Sequence, residues 1–417
     1  MEQKTIVVVG TFDTKGQEYL FVRDLISRNK YKVITIDVGT GARGELVFPP
    51  EYPREEVVKA ADSSMEEILS LGEEGQEVRI MEIMARGATK ICQRLHQSGR
   101  LNGIISLGGT MGTNLGTTVM RSLPFGVPKV MLSTVASADT RPFVSTSDIV
   151  MIPSIADIAG LNQITETMLT RAAGAVMGMV GTGELKVSGR PLIGITNIGG
   201  TIKCATHVKK RLEEKGYEVV IFHANGIGGK AMEELIEQGV IKVVFDLSPN
   251  EVVDHLYGGW GDAGSTRLEA AGRKGIPKLI GLANTDHLVY PSRDKIPERF
   301  RNHHVHPHGP SIFSLRTKKR EMEEVAEVIA EKLNRASGPT AVILPLKGLS
   351  FLDLVDEGFV DQEANFALFE TLKRNLKPEI EVREVNAHVN DDLFAEEAVE
   401  MLYKLMSGKE RRRPKSK

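Results

Sequence analysis

Short runs of β-branched and other apolar residues recur along this chain, and each is followed by a stretch with helical apolar spacing. KTIVVVGT (4–11) predicts a strand, QEYLFVRDLISRN (17–29) a helix, and YKVITIDVGT (31–40) a second strand. Nearly continuous apolar strands that alternate with helices are typical of a mostly parallel sheet with helices on both faces. The alternation therefore predicts an α/β fold.

The same alternation occurs twice. Residues 182–191, TGELKVSGRP, interrupt it with glycines, charges and a proline, and PLIGITN (191–197) restarts it. Because 417 residues exceed one ordinary core, we predict an N-terminal domain of residues 1–184 and a C-terminal domain of residues 190–408. Each domain is expected to hold an open, doubly wound sheet. The basic residues 409–417 are predicted to form a disordered tail.

Further elements follow from the same spacing. The predicted helical stretches are 55–96, 158–180, 321–334 and 391–406, and the later predicted strands include PKLIGLA (277–283), SIFSLR (311–316) and TAVILPLKG (340–348).

The charge balance and the cysteines limit the class of protein. Lys and Arg total 53 against 55 Asp and Glu, a net charge of −2, which argues against a nucleic-acid or membrane-surface protein. No apolar run approaches the ~20 residues of a membrane helix, and the N-terminus lacks a signal-peptide core. Cys92 and Cys204 form no CxxC pair, so buried reduced thiols and a cytoplasmic location are expected.

The loops after the strands of the first half carry the residues expected to bind a ligand. In a doubly wound sheet, ligands lie beyond the carboxyl ends of the strands, where helix N-termini present free N–H groups. GTFDTKG (10–16) offers amides, hydroxyls, a carboxylate and an ammonium, although it is neither a Walker A loop nor GxGxxG. The candidate residues of this loop are Gly10, Thr11, Asp13, Thr14 and Lys15.

Two further loops extend this site. Asp37 ends the second strand, where nucleotide sites of this type often hold an acid for ribose hydroxyls. GGTMGT (108–113) lies at a strand-to-helix turn, so its amides and the helix dipole favour a phosphate. The candidate residues of this turn are Gly108, Gly109, Thr110, Gly112 and Thr113.

The fourth loop, STVASADTRPFVSTSD (133–148), is long and rich in hydroxyl residues. Ser133 and Ser137 are candidate ligand contacts, and Arg141 is suited to clamp phosphate oxygens with two hydrogen bonds. Asp139 and Asp148 are candidate metal-facing carboxylates, and we assign Asp13 and Asp148 to a Mg²⁺ ion.

Each loop also has a purely structural interpretation. Glycine permits positive φ, and Ser and Thr cap helices. For any one loop the two interpretations are balanced, whereas the set as a whole favours a phosphate or nucleotide site. The glycines of GGTMGT are then explained by backbone amides that approach an anion.

The second half has weaker candidates. NIGGTIKC (197–204) repeats the strand-to-GGT pattern, HANGIGGKAM (223–232) places Lys230 near a helix start, and the 256–272 loop contains Trp260, Arg267 and Glu269. In RNHHVHPHG (301–309), strand alternation puts three histidines on one face, a plausible metal geometry, although a surface cluster is the favoured interpretation. These histidines are His304, His306 and His308.

Taken together and in order, the loops resemble a known family. The motifs are GTFDTKG, SLGGTMGT, STVASADTRPFVSTSDIVMIPS, DIAGLN, NIGGT, FHANGIGGKAMEELI, RLEAAGRKGIP, IPERF, LPLKG and NAHVND. The family comprises bacterial proteins of unassigned function and the ATP-binding N-terminal half of a tomato protein that blocks tomato mosaic virus RNA replication. This chain departs from the family pattern at GLANTDHLVY (281–290) and has His308-Gly309-Pro310 where His-Asn-Pro is expected.

The resemblance implies two Rossmann-like domains with an ATP site in the first. Carried over by motif, ATP contacts fall on Gly10, Thr11, Asp13, Thr14 and Lys15 and on 108–113, and the 133–148 loop completes the site. We therefore expect an ATP-binding protein, with Mg²⁺-assisted chemistry at the cleft between domains as its enzymatic version. The alternatives are a nucleotide-gated protein-interaction module and a metal-dependent hydrolase or lyase that uses His306, His308 and His388. A homodimer with an unknown small-molecule or protein partner is also expected.

Overall fold

The structure is a computed structural model that describes residues 3–40, 46–183 and 189–410, with side chains to 407. The chain divides into two compact units, residues 1–186 and 187–417. Part of the predicted boundary segment (184–188) and most of the predicted tail (411–417) lie outside the described residues. The last helix continues to Glu410, so the first two residues of the predicted tail are helical.

The N-terminal unit contains a five-stranded parallel sheet in the order β2-β1-β3-β4-β5. Its strands are β1 (Thr5–Gly10), β2 (Lys32–Asp37), β3 (Gly103–Gly108), β4 (Lys129–Ser133) and β5 (Ile149–Pro153). Its helices are α1 (Phe12–Arg28), α2 (Arg54–Ala60), α3 (Met65–Glu73), α4 (Glu77–Gln97), α5 (Thr110–Arg121), α6 (Arg141–Val144) and α7 (Gln163–Gly181). The α/β prediction is confirmed.

Both faces of this sheet are buried. All six residues of β1 and of β3 are buried, because helices cover the sheet on each side. One apolar cluster joins Val7 and Val9 to α4 and α5, and another joins Ile6 and Val8 to α1 and α7. Alternate residues of one strand thus enter different cores, which is why the strand sequence is apolar throughout.

Residues 55–96, predicted as a largely helical stretch, form three helices. Another predicted helical stretch, 158–180, differs from the structure at its start. Helix α7 begins at Gln163 instead of Ile158, because the Asn162 side chain caps it by accepting hydrogen bonds from the Ile164 and Thr165 amides. Residues 154–162, which precede α7, form a loop that contributes to the site described below.

The C-terminal unit contains a six-stranded parallel sheet, β14-β13-β9-β8-β6-β7, and a three-stranded antiparallel sheet, β10-β12-β11. The strands are β6 (Leu192–Asn197), β7 (Glu218–His223), β8 (Ile241–Asp246), β9 (Lys278–Ile280), β10 (His287–Tyr290), β11 (Val305–Pro307), β12 (Phe313–Arg316), β13 (Thr340–Pro345) and β14 (Glu381–Val385). The helices are α8 (Ile202–Glu213), α9 (Gly228–Glu237), α10 (Asn250–Tyr257), α11 (Ala270–Arg273), α12 (Lys319–Asn334), α13 (Leu352–Val355), α14 (Gln362–Asn375) and α15 (Asp392–Glu410).

The sequence did not predict the small antiparallel sheet or the edge strand β14. SIFSLR was predicted as a strand, and its residues 313–316 form β12, but in the separate small sheet. Strand β14, EVREV, pairs only with β13 and keeps charged residues partly exposed, so it lacks the apolar run of a central strand.

Each parallel sheet has a topological switch point, where the chain starts building the sheet in the opposite direction. It lies between β1 and β3 in the first unit and between β6 and β8 in the second. Ligands of doubly wound sheets bind at such crevices, beyond the carboxyl ends of the strands. Among the described residues, none of the helices combines the length and the apolar composition that crossing a bilayer requires.

Candidate functional site

The strands of the N-terminal unit separate at their switch point. Pairing of β1 with β3 ends at Val8 and Ile105, although both strands continue. Beyond that pair, the Tyr19 hydroxyl takes the position of a strand partner: it donates to the Leu107 carbonyl at 2.5 Å and accepts from the Leu107 amide at 3.2 Å. Tyr19 is fully buried, and burial raises its pKa to about 12, so the hydroxyl stays protonated.

Gly10 follows directly from this arrangement. A Cβ at Gly10 would lie 1.8 Å from the Tyr19 ring, so no larger residue fits at the end of β1. Tyr19 thus holds α1 close to β3 where the two strands no longer pair. The sequence placed Tyr19 only within a predicted helix, and no local signal identified this role.

The glycines of the β3–α5 turn have two different causes. A Cβ at Gly108 would lie 2.9 Å from the Gly112 Cα, so these two glycines allow a tight strand-to-helix turn. Gly109 differs, because a Cβ there would meet only the Thr134 Oγ1, at an ordinary 3.8 Å. The fold therefore requires Gly108, whereas a Cβ at Gly112 would meet the Leu107 carbonyl oxygen at an ordinary 3.5 Å and Gly109 leaves open space beside the backbone.

The amino end of α5 opens on that space. Gly109 is its N-cap and supplies no side-chain cap, and the first amide bonded back along the helix is that of Thr113, which donates to the Gly109 carbonyl at 2.8 Å. The described part of the chain provides no acceptor for the amides of Thr110, Met111 and Gly112. Three donors and the positive end of a twelve-residue helix thus face the switch point.

The hydroxyls predicted beside this turn serve mainly to hold it. Thr113 and Ser133 are both fully buried, their hydroxyl oxygens lie 2.7 Å apart, and Ser133 also accepts from the Val135 amide at 3.1 Å. They fix the α5 turn to the end of β4. Ser137, in contrast, is exposed on the turn after β4.

The β1–α1 turn contributes the cation. Lys15 interrupts α1 with non-helical backbone angles, and its ammonium contacts the Ile158 carbonyl. Glu18 accepts from the Gly160 amide at 2.6 Å, so the loop after β5 is fixed to α1 at two points. The Thr14 hydroxyl donates to the Thr11 hydroxyl at 2.8 Å, which places both at the rim of this turn.

The two acids near this turn differ in exposure. Asp37 is 1% exposed, and its Oδ1 accepts from the Phe12 amide at 3.2 Å and the Gly39 amide at 2.9 Å. Burial raises its pKa, and its role here is to join the β1–α1 turn to the end of β2 rather than to face a ribose. Asp13 is half-buried, and its carboxylate lies against Gly39.

Arg141 is not part of this cluster. Its guanidinium and Asp139 form a surface ion pair at 2.7 Å, which holds the pKa of Asp139 at about 2. The next residues, Pro142 and Phe143, accept hydrogen bonds from Arg121, the last residue of α5. Helix α5 is about 18 Å long, so residues 142 and 143 pack at the end of the helix opposite to its free amides. The structure therefore does not bring Arg141 to those amides, as the predicted phosphate clamp requires.

Asp148 also lies elsewhere. It precedes β5 and pairs with the fully buried Lys129, at the start of β4, at 2.6 Å, while Gly126 donates its amide to it at 2.8 Å. This is the amino edge of the sheet, whereas Asp13 is at the carboxyl edge, about 17 Å away along a five-residue strand. Asp13 and Asp148 were both named as Mg²⁺ candidates, and their places at opposite edges of the sheet keep them from holding the same ion.

The histidines of the C-terminal unit form side-chain pairs. Asp356 bridges His304 and His306 at 2.8 Å each, His308 lies 3.0 Å from the Ser314 hydroxyl, and His388 lies 2.9 Å from Asp353. Within the residues that the structure describes, no group of three or more His, Cys, Asp or Glu is arranged to hold a metal ion. The metal-dependent hydrolase or lyase therefore gains no support from these side chains.

Two side-chain networks in this unit are buried, and the sequence had indicated neither, although Arg267 was named there as a weak candidate. Asp286 contacts the His287 Nδ1 at 2.9 Å and accepts from the Ser350 hydroxyl at 2.6 Å. Arg267 is fully buried and reaches three carboxylates, Asp246 at 2.5 Å, Glu251 at 2.6 Å and Glu233 at 3.3 Å. Arg267 thereby joins the loops that follow β7 and β8, because Glu251 also accepts from the Gly226 and Gly229 amides.

Comparison with known proteins places the chain among relatives over nearly its full length. A UPF0261 protein of Clostridium tetani is 41% identical over 405 residues, which cover 97% of this chain and 99% of that protein. The tomato ToMV resistance protein Tm-1(GCR237) is 34% identical and the ToMV susceptible protein tm-1(GCR26) 33%; each match covers 95% of this chain but 55% of the tomato protein.

Among solved structures, the UDP-GlcNAc 2-epimerase of Methanocaldococcus jannaschii aligns over 89% of this chain and all of its own, at 9% identity. Its TM-score of 0.21 is too low to carry an argument about function. Residues 4–184 match the model of the N-terminal domain and residues 190–406 the model of the C-terminal domain of one uncharacterised protein family. The chain therefore belongs to the uncharacterised protein family UPF0261.

Proposed function

We propose that the N-terminal unit binds ATP, with the phosphates on the amino end of α5. The observation that carries the proposal is the set of three amides, 110–112, that open on unfilled space beside Gly109 at the switch point. Such a helix terminus is a ready-made anion site because its donors and its dipole both favour negative charge. The family resemblance supplies the identity of the nucleotide.

Lys15 and the β1–α1 turn complete the proposed site. Lys15 is half-buried and its ammonium has a neutral carbonyl, that of Ile158, as partner, so a phosphate is a stronger competing acceptor. Magnesium at phosphate sites needs only one or two protein carboxylates, since water and phosphate oxygens supply the rest. Asp13, with the Thr11 and Thr14 hydroxyls beside it, fits that role without Asp148.

The antiviral role of the tomato protein is not part of the proposal. The resistance and susceptible forms match this chain almost equally, at 34% and 33% identity, so overall similarity does not separate the two phenotypes. We confine the proposal to nucleotide binding, which concerns a site within one unit.

Calorimetric titration of the full chain with ATP and Mg²⁺ tests the proposal. Gly109→Ala adds a methyl group to the open space beside the amino end of α5 without a close contact, so we expect at least a tenfold weaker affinity and a folded protein. Gly199→Ala, in the C-terminal GGT turn, likewise adds a methyl group that meets no protein atom, so it is the matched control and should leave ATP affinity unchanged. Lys15→Ala should weaken binding of ATP more than of adenosine.

The proposal fails if ATP does not bind saturably, or if Gly109→Ala binds it as tightly as the unmodified chain. Recovery of the nucleotide after prolonged incubation distinguishes the two versions of the function. If ATP is recovered intact, it acts as a gating ligand. If ADP is recovered, the chain is an enzyme.

A further inference from the structure

The C-terminal unit has an unexplained cluster at its own switch point. Strand β6 ends at Asn197, and the chain passes through a single 3-10 turn, Gly199–Thr201, into the twelve-residue helix α8. A Cβ at Gly199 would meet nothing within 4 Å, so this turn, like that of Gly109, borders open space. The positive end of the α8 dipole lies at the same place.

Loops from five other strands converge on this turn. The Ala224 amide, after β7, donates to the Asn197 carbonyl at 2.8 Å. The Ser248 hydroxyl, after β8, lies 3.0 Å from that of Thr201, and the Asn284 carboxamide, after β9, donates to the same Ser248 hydroxyl. Phe351, after β13, packs against Gly200, and Asn390, after β14, donates to the Gly200 carbonyl at 2.6 Å.

Two carboxamide oxygens in this cluster lack a donor. Asn250 is 1% exposed, and its Nδ2 donates to the Ala224 carbonyl at 3.0 Å, in the loop whose amide bonds Asn197 at the end of β6. Within the described part of the chain, the Oδ1 atoms of Asn250 and Asn390 are both buried and accept no hydrogen bond. A buried acceptor without a donor is uncommon in folded proteins. Two such acceptors around one turn point to a missing ligand with hydroxyl or N–H groups.

The surroundings resemble the rim of a small-molecule site. Ile202, Phe351 and Leu393 are large apolar side chains that are 51%, 49% and 55% exposed, and each lies within three residues of, or packs against, the turn or Asn390. Ligand sites commonly combine apolar walls with a few converging polar groups. The carboxylates Asp246 and Glu251 near the cluster both pair with Arg267, whose single positive charge balances one of them.

We propose that the C-terminal unit binds a small anion that carries hydroxyl groups, a hydroxycarboxylate or a polyol phosphate, at the turn between β6 and α8. The anionic group faces the amino end of α8. The hydroxyl groups donate to the Oδ1 atoms of Asn250 and Asn390. This site is separate from the proposed ATP site, and its ligand is a second small molecule.

Titration of the full chain with three probes tests this inference. Glycerol 3-phosphate and glycerate carry hydroxyl groups, and propyl phosphate is the matched probe without them. We expect at least one hydroxylated probe to bind tenfold or more tightly than propyl phosphate, and the better of the two identifies the anionic group. Asn390→Leu should abolish that preference, because it removes one acceptor.

Two glycine variants assign the binding to this site. Gly199→Ala should weaken the preferred probe tenfold or more with an unchanged melting temperature, because the added methyl group contacts no protein atom. Gly109→Ala should leave it unchanged. The inference is overturned if no probe binds saturably at millimolar concentration, if propyl phosphate binds equally well, or if only Gly109→Ala weakens binding. Each result is independent of whether ATP binds the N-terminal unit.

Discussion

Replacing Tyr19 by Phe tests whether the separation of β1 from β3 is held by one hydroxyl. The change removes the oxygen that serves both the amide and the carbonyl of Leu107, at 3.2 and 2.5 Å, and leaves the ring in place. Both backbone groups then lie buried without a partner. Each such group costs about 1–3 kcal/mol, so we expect about 2–6 kcal/mol of lost stability in this part of the sheet.

Hydrogen–deuterium exchange of the peptide that covers 103–108 measures this loss locally. It reports the opening free energy of β3 itself and does not require the two-unit chain to unfold in one step. Tyr31→Phe is the matched control, because the Tyr31 hydroxyl makes a single bond, to the Met177 carbonyl at 3.0 Å, and is partly exposed. We expect that control to lose about 1 kcal/mol or less. Equal effects of the two variants, or protection of β3 unchanged in Tyr19→Phe, would refute the reasoning.

Three further measurements check other parts of the structure. Arg267→Met leaves three carboxylates buried without their cation and should destabilise the C-terminal unit by about 3–5 kcal/mol in urea unfolding, whereas the exposed Arg273→Met should change it by less than about 1 kcal/mol. Burial raises the pKa of Asp254 to about 7, so its contribution to stability is greatest below the unfolded pKa near 4 and is lost as pH rises through about 7. Asp254→Asn should therefore reduce the dependence of the C-terminal unit's melting temperature on pH over that window. An unchanged dependence on pH would contradict the raised pKa of Asp254. Burial raises the pKa of both the Cys92 and the Cys204 thiol, so the native chain should react with a thiol reagent at pH 8 far more slowly than the denatured chain, and rapid labelling of the native chain would show that these sites open.

The candidate site shows how far loop composition alone can be interpreted. Gly109, Thr110 and Lys15 were named from strand-end loops, and the structure places each at the carboxyl edge of the N-terminal sheet. Arg141 and Asp148 were named from one long loop on the same grounds, but that loop runs back along α5 to the amino edge. Composition identifies the residue types of a loop, whereas its course over the surface depends on long-range contacts such as those of Arg121 and Lys129. Dimer formation and the cytoplasmic location stay predictions.

The sequence by itself determined the α/β class, because continuous apolar strands alternating with amphipathic helices can bury their surfaces only as a helix-covered parallel sheet. From the sequence the glycines of GGTMGT were interpreted mainly as an approach to an anion, and the structure added the steric reason for Gly108. Only the tertiary structure decided which residues meet at the switch points. Tyr19 reaches Leu107, Ile158 reaches Lys15, and Asn390 reaches Gly200 across 88, 143 and 190 residues of chain. Such contacts follow from strand order and helix packing, which no local pattern specifies, because several strand ends carry similar glycines and hydroxyls.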